Sequence, residues 1–465
     1  MLPLEMLPDQ QFQLLCERIR AEMKRLKIPG AALGLALNGQ EFSAGFGKTS
    51  LEHPLPVTPE TLFQAGSITK TFTGTLLMRL VEQGRLELDT PIRKILPKFK
   101  MSDHEVEKHL TTRHLLTHTG GWIGDYFETF GDGDDALQKM VKRIRKLPQI
   151  TPLGQAWSYN NTGFNLAGRI IEIVTGLPYE RAARELLLEP LGLEMTFFFP
   201  NDIMITHRFV SGHKKVGKKV QVARPWAIGR AGNCVGGIIT SVRDLLRYAH
   251  FHMGNGTTAA GQALMQAETL AAMRVPQVDA GGRGQMGLTW FIRHTAPGQA
   301  EDLQIYGHGG ATNGQQAALH FIPQKNFVVA LLTNSDEGGI LTDKLLQWVL
   351  EIYFGAALPS PTTVQKTEEE LTEYTGRYDL PLSSFELSAE NGILRCKDIP
   401  RGGFPTPDSP PNPPEPDVRF AFYDTDRVIG LDEPRLGARC EFLRDANGQI
   451  SLMRLGGRLH PKISG

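Results

Sequence analysis

The stretch FQAGSITKTFTG, residues 63–74, sets Ser67 three residues before Lys70, where glycine gives way to an apolar run. In a helix, positions i and i+3 share a face, so a helix beginning near Ser67 makes these two side chains neighbours. A serine hydroxyl becomes a nucleophile only when a base takes its proton. A lysine is such a base only if burial or a nearby cation brings its pKa down from about 10.4 toward neutrality. A helix start helps further, because its free N–H groups favour developing negative charge. Taken alone, S-x-x-K reads as a capping serine beside a solvated lysine, and its chemistry depends on what the rest of the chain brings to it.

Outward from Ser67, ITKTFTGTLLMRLVEQG ends at Gly84, and its apolar majority predicts a largely buried helix. Upstream, Phe12, Leu15, Ile19, Met23 and Leu26 recur at intervals of three and four, the mark of an amphipathic helix. AALGLALNGQEFSAGFG then reads as two strands joined by Asn38-Gly39, a pair suited to a tight hairpin. QQAALHFIPQKNFVVALLTN reads as strand, turn and strand, and LTDKLLQWVLEIYFG, residues 341–355, as a helix. The sheet is thus expected from both ends of a large domain, residues 1–358, with a mostly helical insertion at about 90–230. A cleft between the two parts is the expected result. The run KKVGKKV, 214–220, is expected as a solvated hairpin.

PSPTTVQKTEEE, starting at 359, reads as a linker over 359–370. Short alternating runs beyond it, with a hairpin signal at Asn447-Gly448, predict a small all-β domain over 371–465, a barrel or rolled sheet. The proline-rich PTPDSPPNPPEP, 405–416, is not expected to form a regular element.

A chain of 465 residues exceeds what one core usually supports, and 41% hydrophobic residues suffice for well-packed domains. Fifty basic residues balance fifty acidic ones, so no general charge favours nucleic acid or an anionic membrane. Neither is expected as a partner. Cys16, Cys234, Cys396 and Cys440 form no C-x-x-C pair, and neither a zinc ribbon nor a Cys396–Cys440 bridge is expected. The N-terminus has no uninterrupted apolar core or small-residue cleavage site, and no run of 18 apolar residues follows. A cytoplasmic location is the expectation.

Three more stretches bear on Ser67. WSYNNTGFNLAG, 157–168, offers Tyr159 as a proton relay and Asn161 as an amide for a substrate carbonyl or the lysine. The plainer reading is a helix start capped by Asn161 or Thr162, with Tyr159 packed below. LLTHTGG, 115–121, precedes a glycine turn. YGHGGATNG, 306–314, holds so many glycines that its backbone must approach something closely, and His308 there reads as wet rather than core. His104, His109, His114 and His118 raise a zinc alternative, but their spacing fits no ligand grammar. No metal and no cofactor is expected.

Together these motifs resemble the serine hydrolases of the beta-lactamase/penicillin-binding fold, in the branch of class C beta-lactamases, family VIII carboxylesterases and D-aminopeptidases. The resemblance spans roughly residues 10–355 and rests on Ser67-x-x-Lys70, Tyr159-x-Asn161 and His308-Gly309-Gly310 in order. TPETLFQAGSITK, LVEQGRLELDTPI, RHLLTHTGG and GNCVGGIITSVRDLLRY match the family's usual wording as well. It implies an α+β fold, an antiparallel sheet flanked by helices plus a helical subdomain, and Ser67 as the nucleophile of an acyl-enzyme. Lys70 and Tyr159 would share the proton transfers, with the formal base unassigned. Asn161, His308, Gly309 and Gly310 would contact substrate, and the N–H groups of Ser67 and Ala311 would form the oxyanion hole. The C-terminal domain resembles the lipocalin-like barrel of some peptidase relatives, where it could shape the cleft mouth or build a homo-oligomer.

The third motif departs from the lactamase Lys-Thr-Gly, whose cation and hydroxyl hold a substrate carboxylate. With histidine there, titrating near pH 6.5, that anchor is mostly uncharged at neutral pH. The first expectation is therefore a carboxylesterase for small neutral acyl esters. A D-aminopeptidase or amide hydrolase, or a weak beta-lactamase, follows it. From another class, a non-catalytic penicillin-binding-like sensor or scaffold is the rival, although Ser67, Lys70 and Tyr159 are all present. Trp122, Trp157, Trp290 and Tyr306 are the aromatic residues considered for the pocket, with packing the safer role for Trp290.

Overall fold

Alternating apolar residues near both ends of the large domain pair into one eight-stranded antiparallel sheet. The computed structural model describes residues 6–463, save 207, 227, 259 and 300. The outermost residues of the expected domains, 1–5 and 464–465, including those used to read the N-terminus, lie outside the described residues.

The strands Gly30–Leu37 and Gln40–Gly47 turn at Asn38 and Gly39, both at positive φ as a tight hairpin demands. Gly30–Leu37 then pairs with Phe327–Thr333, which pairs with Gln315–Ile322, and that strand with Gln304–Thr312. Residues from the two ends of the domain thus lie side by side within the sheet. One face buries Phe12, Leu15, Ile19 and Met23 of the helix Pro8–Leu26, together with Leu345, Val349 and Ile352 of Gly338–Phe354.

The other face carries the larger core, into which the helix Thr69–Glu82 is sunk from Thr69 to Leu80, Arg79 excepted. TKTFTGT is a poor helix sequence by propensity, but burial selects it. Thr69, Thr71 and Thr75 return their hydroxyl protons to carbonyls one turn back, and Thr73 donates to the Cys234 carbonyl. Gly74 is required there, since a Cβ would sit 2.4 Å from Thr289 Cγ2.

Between Ile92 and Gly232 the chain is mostly short helices and loops, with the helix Asn161–Thr175 against Thr69–Glu82, and it includes the lysine hairpin His213–Val216/Lys219–Val222. Among the described residues no helix is long and apolar enough to cross a membrane.

Eight strands from Gly376 to Ile463 close into a barrel. Its interior is packed with Tyr374, Tyr378, Phe420, Phe422, Phe442 and Met453. Cys396 and Cys440 are buried within it as free thiols. The expected linker is shorter than 359–370: the Val364 N–H donates to the Phe422 carbonyl at 2.7 Å, and Thr367 with Glu370 caps the helix Glu368–Thr372. The T-x-x-E capping box draws the end of that segment into the barrel.

The barrel docks through the turn Gly456-Gly457. Tyr159 N–H donates to the Gly457 carbonyl at 2.8 Å, and Leu459 N–H to Ser158 Oγ at 3.2 Å. Glu433 adds ion pairs to Arg25 and Lys344 at 2.8 and 3.4 Å. Gly457 has φ +83°, and a Cβ there would lie 3.0 Å from the Trp157 ring. Gly457→Val should cost about 1–3 kcal/mol in urea unfolding, whereas Glu433→Gln, at a half-exposed ion pair, should cost under about 1 kcal/mol. Wild-type stability in Gly457→Val would show that the turn does not hold the barrel in place.

Candidate active site

Ser67 sits in a single tight turn, Gly66–Ile68, leading directly into the helix Thr69–Glu82. The helical spacing puts Lys70 Nζ 3.0 Å from Ser67 Oγ, and Nζ also donates to the Val235 carbonyl at 3.0 Å. Lys70 is fully buried, 4.9 Å from the Tyr159 ring centroid and 5.7 Å from that of Phe164. Burial holds its pKa well below the ordinary lysine value, and Arg458 lowers it further against a smaller opposing pull from Asp125.

Tyr159 precedes the helix Asn161–Thr175, whose cap is Asn160: its side chain accepts from Gly163 N–H at 2.7 Å. The expected caps Asn161 and Thr162 are thereby corrected, and Asn161 is free to face the cleft. Tyr159 Oη has no well-formed hydrogen bond. Burial raises its pKa to about 12, partly offset by the nearby Ser67 hydroxyl. The same burial therefore shifts the two groups in opposite senses, raising the phenol and lowering the ammonium.

The glycines of the third motif are explained by contact. A Cβ on Gly310 would fall 1.9 Å from the Ala65 carbonyl oxygen and 3.0 Å from Ser67 N, and one on Gly66 would fall 2.5 Å from Ala311 N. Only backbones without side chains approach this closely, and the approach sets the Ser67 and Ala311 amides beside one another.

Two expectations are corrected here. His308 is not wet: it is buried, with Nδ1 2.5 Å from the Gly309 carbonyl, and burial with nearby Lys70 lowers its pKa to about 3. It is neutral throughout the physiological range. Asn161 does not hold Lys70: its amide donates to Asp125 Oδ1 at 2.5 Å, and the Val235 carbonyl takes the lysine instead.

Asp125 leads to a residue the sequence did not single out. Arg458, on the last barrel strand, pairs with Asp125 at 2.9 Å and stacks its guanidinium 4.8 Å from the Tyr159 ring centroid. It is 333 residues away in sequence from Asp125, so no local pattern could have signalled it. His118, quoted within LLTHTGG without a role, lies beneath Tyr159 at 4.4 Å between ring centroids. Its Nδ1 accepts the Asn160 N–H at 2.9 Å, fixing the segment that carries Tyr159.

Two cavities meet at Ser67. One, about 440 Å³, includes Tyr159, His308, Arg283 and Arg458. The other, about 100 Å³, is lined mainly by Tyr126, Phe127, Met140, Ile228, Val235 and Phe404. Asn161, Ala311, Phe127 and Phe404 border both. Phe404, just ahead of the proline-rich loop, packs against Phe127 at 4.9 Å and makes that loop's root a cleft wall. Trp122, Trp157, Trp290 and Tyr306 are core residues instead; Trp122, for example, donates its indole N–H to Thr162 at 2.8 Å.

Gly310→Ala should lower kcat/KM about 100-fold by parting the two amides while the far-UV circular dichroism stays native. Undiminished turnover would remove this contact from the site.

The beta-lactamase family model matches residues 16–350. Penicillin-binding protein 4 of Amycolatopsis lactamdurans is 33% identical over 333 residues, 70% of this chain and 85% of that protein. Among solved structures, SurE with D-Leu superposes with a TM-score of 0.73 at 24% identity, covering 97% of this chain and 99% of its own. The octameric penicillin-binding protein homologue from Pyrococcus abyssi gives 0.64 at 24% identity, with the same coverage. At that identity these two structures speak for the fold, barrel included. With the family model spanning the sheet and the helical part, and the Amycolatopsis protein aligned over most of its length, this chain belongs to the beta-lactamase family of serine hydrolases.

Proposed function

We propose that this protein hydrolyses amides or esters through an acyl-enzyme on Ser67, with a preference for leaving groups that carry a carboxylate. The contact between Ser67 Oγ and a fully buried Lys70, its pKa held well below the ordinary lysine value, carries the reading. Lys70 takes the hydroxyl proton as Oγ attacks the carbonyl carbon, and the resulting oxyanion faces the N–H groups of Ser67 and Ala311. Tyr159 gives its phenolic proton to the departing atom. The phenolate beside protonated Lys70 then takes a proton from water, which attacks the ester, and Lys70 returns its proton to Ser67. Every proton is restored after one turnover.

The leaving group lies on the Tyr159 side, in the polar cavity, and the acyl part lies against Phe127, Met140 and Ile228. The neutral-ester reading rested on the lack of charge at His308. Arg458 supplies a guanidinium from the barrel instead; it lines the cleft, is held by Asp125 and the Gly456 carbonyl, and has more N–H groups than these three contacts use. The solved complex of SurE with D-Leu, whose ligand bears a carboxylate, supports the same preference. Small esters remain accessible because their leaving groups need less protonation.

Three measurements test this. p-Nitrophenyl butyrate hydrolysis should vanish in Ser67→Ala, with nitrocefin turned over weakly by the wild type; full activity in Ser67→Ala would refute the mechanism. kcat/KM should rise with pH through the Lys70 titration, well below 10.5, because only the neutral amine is a base. It should fall near the Tyr159 value of about 12, because only the phenol is an acid. A limb that disappears in His308→Asn would contradict a histidine held neutral. Finally, N-acetyl-D-alanyl-D-alanine should exceed its C-terminal carboxamide in kcat/KM by about tenfold, and Arg458→Gln should erase the difference. Equal rates for acid and carboxamide in the wild type would return the neutral ester as the preferred substrate.

A further inference from the structure

Past His308 and Gly309 the polar cavity opens into another of about 90 Å³, walled by Arg283, Arg293, His320, Thr342 and Asp343. Arg283, Thr342 and Asp343 border both cavities, so this one is continuous with the catalytic cleft.

Its charges do not balance. Arg283 and Arg293 face a single carboxylate, Asp343, since burial drives the pKa of both His308 and His320 down to about 3 and leaves them uncharged. Among the described residues, Arg283 donates only to the Gly456 carbonyl at 3.2 Å, and Arg293 only to the Arg283 carbonyl at 3.4 Å. Neither guanidinium lies within ion-pair reach of Asp343, which feels both only at longer range. Burial and the neighbouring cations Arg458 and Arg293 bring Arg283 down to about 10, against a smaller opposing pull from Asp343. Two forks with most donors unused, in a cavity with room for a small group, form a receptor for a carboxylate.

We propose that this cavity is a second anion subsite, and that it receives the side-chain carboxylate of an acidic amino acid whose α-carboxylate lies at Arg458. The inference rests on the leaving-group assignment above and deepens it: the preferred leaving group is dianionic. Asp343 moderates the site by repelling its ligand.

The test compares N-acetyl-D-alanyl-D-glutamate with N-acetyl-D-alanyl-D-glutamine, which differ only in the side-chain charge. Wild-type enzyme should favour the glutamate by about tenfold or more in kcat/KM. Arg293→Gln should bring the ratio near one, and Asp343→Asn should raise it. Opposite shifts from two neighbouring substitutions cannot come from general loss of folding. A wild-type ratio near one overturns the subsite without any variant, and so does an Arg293→Gln enzyme that keeps the wild-type ratio. If N-acetyl-D-alanyl-D-alanine is favoured over its carboxamide while glutamate and glutamine are equal, only the second subsite falls. If neither pair is discriminated, the leaving-group assignment falls with it.

Discussion

An ammonium group buried without a carboxylate in contact is the constraint around which this molecule is built. Removing a charge from water costs several kcal/mol unless it is paired, and among the described residues Lys70 has only the Ser67 hydroxyl and the Val235 carbonyl as hydrogen-bond partners. Burial accordingly holds its pKa well below the ordinary lysine value. Keeping it dry takes the whole helix Thr69–Glu82, sunk in the core, together with the rings of Tyr159 and Phe164. The same burial acts in the opposite sense on Tyr159, since a phenolate is as costly as an ammonium. One environment thus shifts two titrating groups in opposite senses, the kind of separation that lets a site perform both proton transfers near neutrality.

Position is set by backbone contact more than by side chains. Gly66 and Gly310 let the turn at Ser67 and the strand Gln304–Thr312 touch, so the Ser67 and Ala311 amides, from distant segments, lie close together. The barrel completes the arrangement from outside the sheet. Its turn at Gly456-Gly457 accepts the Tyr159 N–H, and Arg458 extends over the Tyr159 ring to Asp125, which in turn holds Asn161. Tyr159, Asp125 and Asn161 are therefore tied to the barrel by hydrogen bonds, and the barrel contributes Arg458, paired with Asp125, to the cleft.

Much of this was legible in the sequence where physics is local. Helical period, the Asn38-Gly39 turn, the S-x-x-K spacing and the glycine run each depend on neighbours within a few residues, and each has its counterpart in the fold. His308 was misread because flanking glycines suggested solvent, whereas they allow backbone to close over the ring. Asn160, not Asn161, caps its helix; three polar residues in a row left that choice open to the geometry. Arg458 and Asp125 were invisible because their meaning lies in a pairing across two domains. The wall-forming Phe127 and Phe404 escaped for the same reason, while the tryptophans, more conspicuous in the sequence, serve the core.

The most direct test of the central claim is covalent labelling followed by intact mass and peptide mapping. A fluorophosphonate should add once, on the peptide that contains Ser67, and the labelling rate should collapse in a folded Lys70→Met variant. An adduct on another serine, or undiminished labelling without Lys70, would contradict a nucleophile activated by a buried neutral lysine.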